Sequence, residues 1–265
     1  MYSIVVDDLI KNGGDGLVEP QAILMFSGGK DSTYLLWYCL ENDIQFDRVI
    51  FCDSTVEYPP IYDWLDYIEQ RFKINILKIV PRQNFKELLY SKRKRGKFKG
   101  EIRGFPSTVD YCWVSRDLKF HKSVDKIWQN ATRLIGICSD EMKRVTDLPD
   151  LPFPVRWPLV EAGITERQVI RELKQLDLYP PIYELIEKYT IGKSKPRTGC
   201  WICPKSSLAS MRMLYNEFPE LWEKLRTWEE TTPLRWKMSQ SVEEYERRFR
   251  GEDWRSQTRL VEVGE

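Results

Sequence analysis

The stretch ILMFSGGKDSTYLL, residues 23–36, runs a hydrophobic strand straight into two glycines, a lysine, an aspartate and hydroxyl residues. It then turns apolar again at helical spacing. A bare turn needs one or two such residues. Gly28 and Gly29 can adopt positive φ, and neither has a Cβ to exclude an anion. Backbone N–H groups bent around them can face one concavity, and the helix start that follows adds partial positive charge. Ser27, Ser32 and Thr33 supply hydroxyls, and Lys30 a full charge. A strand-to-helix turn capped by Ser or Asp is the plainer reading, but a cap does not need the whole SGGKDS set. The Walker loop is excluded, because Asp31 follows Lys30 where Ser or Thr is required and residue 24 is leucine.

The residues that follow repeat this strand–helix order. Residues 21–26 (QAILMF), 47–53 (DRVIFCD), 74–80 (INILKIV) and 133–139 (RLIGICS) read as strands. Helices are expected over 32–42, 61–72 and 114–128. Such alternation predicts an α/β fold with a doubly wound, mostly parallel sheet. Ligands on such sheets lie beyond the carboxyl ends of the strands, an edge that would carry residues 27–33, 53–58 and 138–144. After residue 150 a short strand-like segment precedes a helix starting near Thr165, where T-x-x-Q offers a cap. Residues 206–229 read as one further helix with an apolar stripe of Leu208, Met211, Leu214, Leu221, Trp222 and Leu225. The expected organisation is an N-terminal segment 1–19, a nucleotide-binding α/β domain 20–160, a helical, cysteine-containing extension 161–229 and a charged tail 230–265, read as a surface helix or interface arm.

The net charge of +1 names no polyanionic partner for the chain as a whole. No apolar run reaches transmembrane length, and the first residues lack a basic segment followed by an apolar one. A cytoplasmic location without membrane association is expected, where six cysteines would not form a disulfide framework. Ten tryptophans and thirteen tyrosines suggest large contact surfaces, with room for a homodimer. Cys39 and Cys52 read as small core residues, and His121, the only histidine, as a surface or packing residue.

SGGKDS, Ser27 to Ser32, resembles the pyrophosphate loop of the adenine nucleotide α-hydrolase-like (PP-loop ATP pyrophosphatase) superfamily. Three more stretches resemble its PAPS reductase family: FCDSTVEYPP (51–60), RLIGICSDEMKR (133–144), and WPLVEAGITERQ (157–168) followed by GCWICP (199–204). The resemblance spans residues 20 to 225. It implies that Ser27, Gly28, Gly29, Lys30, Asp31 and Ser32 hold the phosphates of ATP or PAPS, and that Asp53 and Thr55 lie near the adenosine. It also implies that Glu57 faces the substrate loop. Lys30, Asp31, Asp140, Glu141 and Arg144 become the candidate catalytic residues, with Mg²⁺ on the carboxylates. Cys138 and Met142 stand where the family has arginine and serine. No cysteine follows Cys203 to serve as a reductase nucleophile. The resemblance therefore implies ATP-dependent adenylation and sulfuration of an acceptor. A thiol-dependent PAPS reductase and a non-catalytic nucleotide sensor or scaffold stay open.

GCWICP places two thiols on one tight turn, a unit that can serve a metal or an Fe–S cluster. The resemblance adds Cys112, and Cys138, at the end of a strand leading to the same sheet edge, is the candidate fourth ligand beside Cys200 and Cys203. The set implies a [4Fe–4S] cluster, with zinc as the alternative. Residues 82–103, RQNFKELLYSKRKRGKFKGEIR, hold nine Lys/Arg against two Glu, interleaved with Phe85, Tyr90 and Phe98. Such a stretch is a solvated loop, a lid over an anion or a track for a nucleic acid. The partners left open are a nucleic-acid acceptor and a sulfur-donor protein.

Overall fold

Short runs rich in β-branched and aromatic residues, such as RVIFC and ILKIV, cannot bury themselves alone. They pair edge to edge, with both faces covered, as parallel strands require. The computed structural model of the chain describes residues 3–5, 20–106, 112–119, 128–146, 151, 153–191 and 197–251. Six strands form one sheet: β1 Ser3–Val5, β2 Ala22–Met25, β3 Arg48–Cys52, β4 Ile76–Val80, β5 Thr132–Ile135 and β6 Val155–Arg156. Their order is β1-β4-β3-β2-β5-β6, and every pair is parallel. The doubly wound reading is borne out. The chain steps outward from β2 through β3 and β4, then returns to the other side of β2 with β5 and β6. The reversal lies between β2 and β5, where an α/β sheet opens a crevice at its carboxyl edge.

One sheet face is packed by Ile23, Ile50, Leu77, Ile79, Trp128 and Ala131, with Met25 and Cys52 against them. Helices α1 Lys30–Glu41 and α2 Pro59–Phe72 follow β2 and β3. Pro59 and Pro60 open α2 where an N–H would be orphaned anyway. Helix α6 Glu166–Gln175 (after α3 Phe85–Leu89, α4 Met142–Thr146 and α5 Pro158–Glu161) begins as the cap signal predicts. Thr165 accepts the Gln168 N–H through its side chain. Cys39 is fully buried, and burial pushes its thiol up to about 12.

Several expectations change. The strand at 133–139 ends at Ile135, and the residues from Gly136 on form the loop at the sheet edge. β1 adds an edge strand, unforeseen in the sequence, beside β4. The single helix over 206–229 is two, α8 Leu208–Glu217 and α9 Pro219–Glu230, after α7 Pro181–Glu187. Pro219 has no N–H to continue α8, so the helix stops with the Phe218 N–H on the Leu214 carbonyl. Within the helix expected at 114–128, Ser115–Lys119 is a π-type turn; residues 120–127, His121 among them, lie outside the described residues.

The chain divides into two compact units. One comprises Met1–Arg82 and Asp117–Ile182 and holds the sheet. The other comprises Gln83–Arg116 and Tyr183–Glu265. The second unit is built on rings. Phe85 stacks on Trp113 at 5.1 Å and meets Trp228 at 5.4 Å. Helix α10 Val242–Gly251 buries Val242, Tyr245 and Phe249, with Phe249 against Trp222 at 5.8 Å. The described start of the charged tail thus includes a surface helix with one buried face, the first of the two alternatives expected. Much of the tryptophan content is core: Trp113, Trp201, Trp222 and Trp236 are all buried here.

Candidate nucleotide site

The SGGKDS turn leaves β2 at the switch point and enters α1. Gly28 takes φ +72°, and a Cβ there would lie 2.8 Å from Ile61 Cγ2. Both the conformation and the space call for glycine. Gly29 is the extended residue before α1, which has no side-chain cap. The first intrahelical bond into this terminus is Thr33 N–H to the Gly29 carbonyl, at 2.9 Å. The first-turn amides of Lys30, Asp31 and Ser32 precede it and belong to the helix's positive end. Two other loop amides are engaged by hydroxyls. Ser27 N–H donates to Ser32 Oγ at 3.2 Å, and Gly29 N–H to Ser27 Oγ at 3.4 Å. Ser32 Oγ in turn donates to the Gly29 carbonyl at 3.0 Å. Thr33, read from sequence as a loop hydroxyl, instead accepts from buried Trp64 Nε1 at 3.1 Å. It is fully buried and faces the core.

Lys30 is 5% exposed. Its Nζ lies 3.0 Å from Glu166 Oε1 and 3.3 Å from Asp31 Oδ1. Burial raises the Asp31 carboxyl above its ordinary range, Lys30 beside it acts in the opposite sense, and Glu141 adds to the rise. The buried cation thus has two carboxylates around it, as a buried charge requires. The loop after β5 closes on the same place. A Cβ on Gly136 would lie 2.7 Å from the Asp31 carbonyl oxygen and 3.1 Å from Ser32 N. Cys138 Sγ donates to Asp31 Oδ1 at 3.6 Å. Burial, and then the Asp31 charge, push the Cys138 thiol well above the usual thiol range. Asp140 Oδ1 accepts the Glu166 N–H at 2.9 Å. The β2 and β5 loops therefore meet twice, Lys30 and Asp140 through Glu166, and Asp31 and Cys138 directly. Arg144 falls on α4, and its side chain lies outside the described residues.

The loop after β3 is organised differently. Asp53 Oδ1 accepts from Thr55 N–H at 2.7 Å and Tyr62 Oη–H at 2.8 Å, while Oδ2 pairs with Lys78 at 3.2 Å. Those bonds hold Thr55 at φ +61°, a strained value for a β-branched residue. Glu57 is buried, taking Ser54 Oγ–H at 2.6 Å and Lys119 Nζ at 2.8 Å. Asp53 thus fixes the turn with its own oxygens. Glu166, Gly136, Tyr62, Lys78 and Lys119 were not singled out from sequence as parts of this site. Gly136 had a usable signal, a glycine closing an apolar strand. Glu166 was visible only as part of a cap.

Cys200 and Cys203 form a knuckle in the second unit. Cys203 N–H donates to the Cys200 carbonyl at 3.0 Å, and Trp236 Nε1 holds the Ile202 carbonyl at 2.7 Å. Among the described residues no three His, Cys, Asp or Glu side chains are grouped to hold a metal ion. The pair alone does not make a [4Fe–4S] or closed zinc site, which needs more ligands. Nor do Asp31, Asp140 and Glu141 make a magnesium site as arranged. The described residues do not fit either group, and no chemical step is assigned to one. No helix among the described residues is long and apolar enough to cross a membrane.

Residues 21–135 match the family model of the phosphoadenosine phosphosulfate reductase domain. Two uncharacterized proteins of Methanocaldococcus jannaschii, MJ0066 and MJ0973, are 26% identical over 232 residues and 24% identical over 202. The matches cover 81% and 75% of this chain and 42% and 45% of theirs, so the chain spans less than half the length of these curated relatives. A phosphoadenylyl-sulfate reductase from Candida auris, solved as a phosphate complex, superposes with TM-score 0.47 at 14% identity. It covers 75% of this chain and 89% of that one. The U34-tRNA thiolase NcsA from Methanococcus maripaludis, solved with its [4Fe–4S] cluster, gives TM-score 0.41 at 18% identity. There the coverage is 94% and 80%.

Proposed function

We propose that this chain, whose residues 21–135 match the phosphoadenosine phosphosulfate reductase domain, binds ATP at the SGGKDS turn and adenylates an acceptor that is then sulfurated. The observation that carries the reading is the uncapped start of α1 beside a glycine at positive φ, with buried Lys30 at the same turn. Such a terminus is suited to a phosphate.

In this reading an acceptor oxygen attacks the α-phosphorus of ATP. The bond from that phosphorus to the bridging oxygen breaks, and pyrophosphate leaves with the electron pair. A sulfur nucleophile from a donor then attacks the acceptor carbon and displaces AMP. A nucleobase carbonyl is one such acceptor oxygen. The chain's own residues position and neutralise. The α1 amides and Lys30 hold the departing pyrophosphate, with Lys30 exchanging its Glu166 contact for phosphate oxygens. Asp31, whose carboxyl is raised, accepts the proton of the ring N–H next to the nucleobase carbonyl as its oxygen attacks. Asp140 keeps the start of α6, and so Glu166, in place. The test is pyrophosphate release from ATP, wild type against Lys30→Ala. Release that persists in the variant at the wild-type rate overturns the reading.

The family match favours a second reading, in which PAPS is the ligand. One external thiol would attack the sulfate sulfur, releasing adenosine 3′,5′-bisphosphate. A second thiol would release sulfite as the two thiols become a disulfide. Thiol-dependent sulfite release from PAPS, without pyrophosphate release from ATP, selects it. Metal binding is a separate question. Iron measured on anaerobically purified protein, wild type against Cys200→Ser, checks whether Cys200 and Cys203 carry it with Cys112 and Cys138.

A further inference from the structure

Residues 91–103 form a framed projection of the second unit. Arg103 N–H donates to the Ser91 carbonyl at 2.8 Å and Arg93 N–H to the Glu101 carbonyl at 2.8 Å. Gly100 N–H returns to the Arg93 carbonyl at 2.9 Å. Lys92 and Ile102 make an antiparallel bridge. Gly96 and Gly100 turn the tip at φ +84° and +91°, each with nothing near the position of a Cβ. This ribbon carries Lys92, Arg93, Lys94, Arg95, Lys97, Lys99 and Arg103 against Glu101 alone. Lys92, Lys94, Arg95, Lys97 and Lys99 are exposed. Among the described residues no carboxylate pairs with them.

The three aromatics of the basic stretch part company here. Phe85 is core, and Tyr90 bonds Thr231 at 2.6 Å. Phe98 stays 46% exposed at the tip. Arg93 and Lys97 lie over its ring, at 5.4 and 5.7 Å from the centroid.

We infer that this ribbon binds single-stranded nucleic acid, its cations on the phosphates and Phe98 under a base. A single phosphate or sulfate would need two or three cations at one point. Here five exposed cations, Lys92, Lys94, Arg95, Lys97 and Lys99, are spread along the arm and around the turn at Gly96, more than one such group can use and a distribution suited to a polyanion. A whole-chain charge of +1 means this density is local, not general basicity. An exposed ring among cations matches stacking on bases, which is sequence-tolerant. A membrane headgroup layer offers charge without a flat partner for the ring. The inference rests on the proposed function only in making the nucleic acid the acceptor, and binding is measured with no ATP present.

The test is anisotropy of labelled oligouridine and oligothymidine of about 20 nucleotides with the full chain, between about 50 and 200 mM salt. RNA and DNA arms separate the two sources of the same chemistry. Wild type binds at least one, with affinity falling steeply with salt. Lys94→Gln, Arg95→Gln, Lys97→Gln together lower the salt slope by about 2, at about 0.7 per phosphate contact. Phe98→Ala weakens binding about tenfold while leaving the slope in place. Unchanged unfolding midpoints show that the variants fold. No wild-type binding at the low salt, an unchanged slope in the triple variant, or unchanged affinity in Phe98→Ala overturns the inference. So does equal binding to vesicles of phosphatidylserine and phosphatidylcholine. Lost pyrophosphate release with oligonucleotide binding intact counts against the proposed function alone.

Discussion

Lys30 and Lys97 carry the same charge into opposite surroundings. Lys30 is buried at the start of α1, with Glu166 and Asp31 around it. Lys97 is exposed on a ribbon of like charges, and the ring of Phe98 is its nearby partner. A buried cation is held in one place by paired carboxylates, because leaving it unpaired costs several kcal/mol. An exposed one is solvated, mobile and screened by salt. The first arrangement suits recognition of one phosphate group at one point. The second suits a long, flexible polyanion. The contrast makes opposite forecasts for charge removal, and the largest belongs to Lys30.

Lys30→Ala is expected to lower pyrophosphate release by about 10²–10³-fold, the scale of losing one charge-stabilising group. It also leaves buried Glu166 and half-buried Asp31 without the Lys30 cation. A stability loss of about 3 kcal/mol is therefore expected in denaturant unfolding. Lys30→Arg, which keeps the charge, separates the two readouts, recovering stability more fully than rate. A variant as stable as wild type would mean that the buried pairing is not under strain of desolvation, and the contrast with Lys97 would lose its basis.

Two glycines around the same turn give the next effects. Gly136→Ala would press a Cβ against the Asp31 carbonyl, at 2.7 Å, and against Ser32 N. Backbone cannot rotate away as a side chain can, so the start of α1 must shift. About 3 kcal/mol is expected, together with weakened nucleotide binding. Gly28→Ala meets only Ile61 Cγ2 and a positive φ, for about 2 kcal/mol. Ile61→Leu, which moves that methyl, should restore part of the loss for Gly28→Ala and none for Gly136→Ala. Thermal unfolding of the four variants checks this.

Their legibility differed. The proposal that residues 27–32 hold an anion starts from composition, because no ordinary turn collects those side chains. The parallel sheet followed from alternation of short apolar runs with helical patterns. What could not be read was pairing across long separations. Glu166 lies 136 residues from Lys30, and in sequence it is one more acidic residue in a first helical turn. Asp53 was expected near the adenosine, whereas its use of Oδ1 and Oδ2 to fix the Thr55 turn could not be read. Pro219 shows a local signal outweighed by an apolar stripe: the stripe ran through it, while the missing N–H ended the helix.

A smaller effect concerns pH. Burial opposes ionisation of Glu172, but bonds from Tyr34, Gln168 and Arg171 outweigh it and hold the carboxyl below its ordinary value. The folded state therefore binds this proton less tightly than the unfolded chain. The resulting stability is present above the ordinary pKa of 4.5 and is lost as pH falls through the lower folded value. Glu172→Gln should flatten that part of the stability–pH curve by lowering stability at pH 7, where the carboxylate is ionised, and leaving the acid end nearly unchanged. An unaltered acid limb in urea titrations across that range would show that Glu172 does not contribute to it.

The smallest effect is expected on the ribbon, and it has the opposite sign to that at Lys30. Lys94→Gln with Arg95→Gln removes two exposed charges that have no carboxylate partner among the described residues. Surface changes of this kind move stability by no more than about 0.5 kcal/mol. Like charges crowded on one short ribbon repel, so any shift should be toward greater stability. The shift should grow as salt is lowered, since the Debye length lengthens from about 10 Å at 0.1 M to about 30 Å at 0.01 M. Urea unfolding at those two salt concentrations measures it. A loss of about 3 kcal/mol or more (the cost of breaking a buried pair) would mean that these cations hold the second unit together. Their charge would then be structural, as at Lys30, and the ribbon would no longer be free to meet a polyanion.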